Sequence, residues 1–156
     1  MRTASCQCAQ LSVTCPDNYL IHTQCCCKDC QKRTGSPSAF QVHYKANDLT
    51  VSGEHKTYTR ASSSDASREV TTFFCPECGG TLWLSTSWGE SVFGEAVYQV
   101  SLGCFEDLDL ERPKVAIWCC NLPNWIEPSP IQEFQMDRQP EALGELAAAV
   151  ESLVKI

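Results

Sequence analysis

Three groups of closely spaced cysteines constrain this chain more than any other feature. Cys6 and Cys8 form a C-x-C pair near the start. Cys25, Cys27 and Cys30 form a C-x-C-x-x-C triplet inside the run CCCKDC at 25–30. Cys75 and Cys78 form a C-x-x-C pair followed by Gly79. In a small secreted chain, 12 cysteines in 156 residues would signal a disulfide framework. Spacing argues against that here. The consecutive Cys25, Cys26 and Cys27 are awkward partners for a bond that demands a set Cα separation and torsion. A chain of this length can also bury one core without staples. In a reducing compartment such cysteines more often hold a metal or do chemistry.

The remaining bulk features narrow the setting. The opening MRTASCQCAQ carries one Arg and no apolar stretch, so it does not read as a secretory signal. No run approaches 18 apolar residues, so no membrane span is expected. The expected location is cytoplasmic. Formal net charge is −7, from 19 acidic and 12 basic side chains. Such a chain lacks the broad basic footprint that holds phosphate backbones, and nucleic acid is not an expected partner.

Along the chain, the first two thirds read as short strands between turns. Leu11, Val13 and Cys15 alternate, as do Phe40, Val42 and Tyr44. The segments 67–75, 81–86, 96–102 and 115–120 are β-branched and aromatic. Turn chemistry separates them at 16–18, 35–37, 52–53, 79–80 and 123–124. In 140–156, Leu143, Leu146, Val150 and Leu153 recur near helical spacing after Pro140. That pattern predicts a terminal helix packed on the body, with a homodimer contact as the other use of its apolar face. The division read from the sequence is a zinc-binding β domain over 1–135 and a helical tail over 136–156.

The three groups contribute seven sulfurs, one short of two closed four-cysteine sites. A split of four and three leaves one site with an open position, the way a catalytic zinc is built. The triplet is compact enough to hold a metal alone, which leaves Cys6, Cys8, Cys75 and Cys78 as the natural four-ligand set. Spacing by itself leaves that partition open.

The order of these motifs resembles the glutathione-dependent formaldehyde-activating (GFA) family, which includes centromere protein V. That family carries C-x-C, then C-H-C-x-x-C, then T-G-S-P, then C-x-x-C-G-x-x-L. Here the matching stretches are CQC at 6–8, CCCKDC at 25–30, TGSP at 34–37 and CPECGGTL at 75–82. Further on, GCFEDL at 103–108 is similar to G-T-L-D-D-P. RPKVAIW at 112–118 and PNW at 123–125 are similar to R-P-x-x-H-I and P-W. The resemblance covers roughly 3–128. It implies a mainly β, Mss4-like, zinc-stabilised fold with two Zn²⁺ per chain. One would be structural on Cys6, Cys8, Cys75 and Cys78, the other catalytic on Cys25, Cys27 and Cys30. Cys26 and Ala116 stand where the family usually has His, and Cys104-Phe105-Glu106 replaces T-L-D, with Asp107 retained.

The activity so implied is that of a carbon–sulfur lyase. A thiol such as glutathione is activated at the open Cys₃ zinc and adds reversibly to formaldehyde, giving S-(hydroxymethyl)glutathione. Lys28, Lys32 and Arg33 flank the triplet. They would offset the charge of a glutathione-like thiol, although a solvated loop is their plainer reading. Two alternatives stand beside the enzyme: a non-catalytic binding or scaffold module in which zinc only holds the fold, and a redox-sensing thiol cluster. In the scaffold case Cys26 or His22 would supply the fourth ligand.

Other residues have blander expectations. Cys26 reads as a spare thiol pointing away from the metal. Cys15, Cys104, Cys119 and Cys120 read as core or strand residues, with Cys119 and Cys120 on opposite sides of a strand. His22, His43 and His55 read as strand or surface histidines. Trp83, Trp118 and Trp125 read as core, and Trp88 as a pocket residue.

Overall fold

The computed structural model describes residues 1–63, 65–127, 134–138, 145, 148, 151 and 152. The helix expected over 140–156 lies largely outside the described residues. The fold is mainly β, in two sheets. The smaller sheet has three strands: β1 (Arg2–Ser5), β2 (Ser12–Cys15) and β5 (Thr50–Ser52), in the order β1-β2-β5. The larger has eight: β3 (Ile21–Cys25), β4 (Ala39–Lys45), β6 (Lys56–Ala61), β7 (Glu69–Phe74), β8 (Thr81–Thr86), β9 (Val97–Ser101), β10 (Val115–Ile117) and β11 (Phe134–Gln135). Their spatial order is β11-β10-β3-β4-β9-β8-β7-β6. All pairings are antiparallel except those of β10, which runs parallel to both β3 and β11.

Alternation along the central strands gives the large sheet two different faces. On β4, Val42 and Tyr44 enter the main core with Leu11, Val13, Trp83, Val100 and Phe105. The intervening Gln41 and His43 face a cavity instead. β9 repeats the pattern, with Val100 in the core and Gln99 on the cavity wall. Trp83 stacks on Phe73 with ring centroids 4.9 Å apart, anchoring β7 to β8 in the aromatic part of the core. Cys15 is fully buried there, and burial pushes its thiol up to about 12, so it packs as a small hydrophobe.

Two short helices cover the cavity side: α1 (Lys28–Thr34) and α2 (Gly89–Phe93). Helix α1 starts where the Cys27 sulfur accepts the Cys30 N–H at 3.4 Å. It stops at Gly35, whose φ of 65° suits a residue without a β-carbon and whose N–H caps the Gln31 carbonyl. Among the described residues no helix is long and apolar enough to cross a membrane.

Several expectations change at this level. Cys119 and Cys120 lie in a 3₁₀ turn (Cys119–Asn121), not on a strand, because β10 ends at Ile117. The break is Trp118, a bulky residue at φ 61° in the left-handed region. Trp125 is 76% exposed and outside the core, following the Pro123 turn onto the surface. Trp118 is half-buried and lines the cavity, as Trp88 does.

Candidate metal centres and the adjoining cavity

The first cluster joins two loops that are far apart in sequence. The Cys6 carbonyl accepts from Ala9 N–H at 2.9 Å, and the Cys75 carbonyl accepts from Gly79 N–H at 3.0 Å. Each is a tight turn with a positive φ, 59° at Ala9 and 70° at Gly79. Glycine meets that demand at 79 without strain. The turns bring the sulfurs of Cys6, Cys8, Cys75 and Cys78 within 4.8 Å of one another. Cys6 lies 3.5 Å from Cys8, and Cys8 lies 3.6 Å from Cys75. A tetrahedron of sulfurs around Zn²⁺ at its usual bond length has edges of about 3.8 Å, so the donors fit that ion. Backbone N–H groups also point at the sulfurs. Leu11 N–H donates to Cys6 at 3.3 Å. The N–H groups of Gly80 and Cys8 hold the Cys78 thiol down at about 6. Such bonds favour thiolates, the form that binds metal.

The second cluster forms where β3 runs into α1. Cys25 ends β3, Cys27 caps α1 and Cys30 lies one turn into the helix. Their sulfurs also lie within 4.8 Å of one another. No further His, Cys, Asp or Glu donor joins them among the described residues. Cys27 carries the negative charge first: the Cys25 and Cys30 thiols donate to its sulfur, as do the backbone N–H groups of Cys30 and Asp29, and together they outweigh burial. Cys25 is pushed up by the same neighbours and by its own burial.

Gln31 fixes this corner. Its Nε2 lies 3.2 Å from the Cys26 carbonyl, 3.0 Å from Pro37 and 3.1 Å from Asn121. One side chain thereby ties the start of α1 to the following loop and to the turn after β10. Lys28 Nζ donates to Gln31 Oε1 at 3.1 Å.

Cys25, Cys27 and Cys30 line a cavity of about 310 Å³ against the large sheet. Lys28 and Arg33 line it too, whereas Lys32 is exposed and outside the wall. Arg33 Nη2 is buried without a hydrogen-bond partner among the described residues. The strained Trp118 completes the wall beside the triplet, at a backbone cost of about 1–3 kcal/mol.

A family model described as glutathione-dependent formaldehyde-activating enzyme matches residues 1–121, a span that includes both clusters and most of the cavity wall. The chain belongs to this family. No curated protein matches it. Within the GFA family frame, the departures at 26 and 116 meet in space. Cys26 and Ala116 are both fully buried in one small cluster with Cys119, on the side of β3 and β10 away from the cavity. Cys26 and His22 stand outside both sulfur groups. His22 is buried on β3, its Nδ1 2.9 Å from the Glu111 carbonyl. Asp107 lies at the surface, 3.5 Å from Arg2. Cys104 packs against the main core and approaches the Thr81 carbonyl at 3.5 Å.

Sequence reasoning did not single out Gln31, Gln41 or Arg60. It read His43 as a strand or surface residue; His43 lies on strand β4, with its ring buried in the cavity wall. The signal for Gln41 and His43 was present in AFQVHYK, where two polar residues alternate with apolar ones on a strand.

Proposed function

We propose that this chain is a zinc-dependent carbon–sulfur lyase of the GFA type, joining a glutathione-like thiol to formaldehyde. The observation that carries the proposal is the contrast between the two clusters. The first has four sulfurs and stands apart from the cavity; the second has three, no fourth protein donor among the described residues, and opens onto that cavity. Cys6, Cys8, Cys75 and Cys78 would hold a structural Zn²⁺, and Cys25, Cys27 and Cys30 a catalytic one. Zinc held there by Cys25, Cys27 and Cys30 would favour the thiolate form of an incoming thiol.

The protein's own groups do the rest. Gln31 fixes the loop that carries Cys27 and Cys30. Arg33 offers an unpartnered buried N–H to a carboxylate of the thiol, and Lys28 adds positive charge beside it. The apolar part of the wall, including Ile21, Val70 and Leu84, excludes water and keeps the thiolate reactive. In the reaction the thiol sulfur attacks the aldehyde carbon. The carbon–sulfur bond forms, the carbonyl π bond breaks, and the proton lost from sulfur ends on oxygen. A cytoplasmic setting, with reduced thiols and available glutathione, suits this reading.

The test is Cys27→Ala, assayed for zinc per chain and for glutathione binding by native mass spectrometry. The expected result is a folded protein that keeps one zinc and loses glutathione. Unchanged glutathione affinity would overturn the reading in favour of a scaffold module. Reversible release of zinc under mild oxidation, without thiol binding, would favour a redox sensor.

A further inference from the structure

The floor of the cavity carries two polar groups that the proposed chemistry leaves unused. Gln41 is 4% exposed and His43 is 8% exposed, and both line the cavity from the same face of β4. Gln41 Nε2 is buried with no hydrogen-bond partner among the described residues, and so is His43 Nδ1. The other ring nitrogen of His43 is taken, 3.0 Å from Thr23 Oγ1. Buried polar atoms without partners are rare in folded proteins. Two of them on one cavity wall, two residues apart on one strand, offer a ligand in the cavity a pair of groups to satisfy.

The chemistry of the pair defines that ligand. Gln41 Nε2 can only donate. In the tautomer whose Nε2–H donates to Thr23 Oγ1, His43 presents Nδ1 as an acceptor. Burial holds the His43 ring neutral, so the pair offers no net charge. One donor and one acceptor without charge match a neutral amide, whose carbonyl and N–H point to opposite sides. They do not match a carboxylate, for which Arg33 stands elsewhere in the wall.

Resting on the thiol-site reading above, we infer that Gln41 and His43 read a peptide group, and thereby select peptidic thiols over simple alkyl thiols at the triplet. Thr23 is the positioning residue that orients the His43 ring. Thr23 and Cys25 lie two residues apart on β3, and Thr23 is the register partner of Gln41. The amide would therefore be read on the strand next to the one that ends at Cys25, in the same cavity.

The test is isothermal titration of the zinc-loaded protein with two thiols. Glutathione carries peptide groups; 3-mercaptopropionate keeps a thiol and a carboxylate but has no amide. In Gln41→Leu, glutathione affinity is expected to fall roughly tenfold, about the worth of one hydrogen bond, with 3-mercaptopropionate changed less than about twofold. His43→Phe, a second variant with its own folding behaviour, is expected to show the same asymmetry. The melting temperature of Gln41→Leu should match or exceed the wild type's, because an unpaired buried donor has been removed; His43→Phe also loses the bond to Thr23 and should melt somewhat lower while remaining folded. Equal weakening of both thiols, or no weakening of either, overturns the inference alone. Wild-type protein that binds neither thiol overturns the thiol-site reading and this inference with it.

Discussion

Arg60, on the outermost strand of the large sheet, reaches Asp29 in the first turn of α1, with Nη1 2.8 Å from Oδ2. Asp29 also accepts the Ser63 N–H at 3.3 Å. Both residues line the cavity, and their contact ties the sheet edge to the helix that carries Cys30. The pair is partly solvated, and its worth to global stability is under about 1 kcal/mol. Asp29→Ala should therefore leave the melting temperature nearly unchanged. It should speed amide hydrogen exchange at Ser62, Ser63 and β6, which would lose their tether. Unaltered exchange there would show that the contact does not hold the rim.

Gln31 should matter more than its polar surface position suggests. Gln31→Leu keeps the bulk but removes a donor aimed at the carbonyls of Cys26, Pro37 and Asn121. A loss of about 1–3 kcal/mol is expected from the groups left unpaired. Urea denaturation measures it. If the triplet holds zinc as proposed, the amount retained there should drop as well, because the loop before α1 loses its anchor.

Cys75→Ser should be far more damaging. It removes one of four converging sulfurs in a turn that joins Cys6 and Cys8 to β7 and β8. If that cluster holds a structural metal, its binding energy is folding energy. A domain of this size has only about 5–15 kcal/mol in total. The variant should lose metal there and show no cooperative thermal transition by circular dichroism.

His43 gives a pH signature. Burial, with a smaller effect of His22, lowers its imidazole to about 3 in the folded chain, against about 6.5 when unfolded. Above pH 6.5 both states are neutral and the contribution to stability is complete. As pH falls from 6.5 toward 3, the unfolded chain binds a proton that the folded chain refuses. Stability then drops by about 1.4 kcal/mol per pH unit. Between pH 7 and pH 5, wild type should lose about 2 kcal/mol more than His43→Gln in urea titrations. Equal losses would show that His43 is protonated in the folded state.

The sequence was legible where side-chain chemistry repeats at short range. The alternation in 39–45 marked β4, the β-branched and aromatic run 81–86 marked β8, and the C-x-C and C-x-x-C-G spacings marked both sulfur groups. Strand β3 escaped because IHTQC is buried at every position and mixes polar with apolar residues, so no period shows. Helix α1 escaped because seven residues are too few for a helical repeat, and its cap is a cysteine rather than the usual hydroxyl or carboxylate. The cavity escaped for a different reason. Gln41 and His43 share a wall with Cys25 through the β3–β4 pairing, and Trp118 joins it only because β10 lies parallel to β3, a long-range pairing that no local pattern announces.

The separation of Cys8 from Cys75 also sets an order of events during synthesis. The two sulfurs are 67 positions apart, and everything from β2 to β7 lies between them. Holding them together closes a loop whose entropy in the unfolded chain is worth about 4 kcal/mol. That closure has to wait until Cys78 has left the ribosome. Cys25, Cys27 and Cys30 emerge earlier, all within six consecutive residues. If each group takes an ion as proposed, the group proposed for chemistry is positioned to load first and the four-sulfur group last.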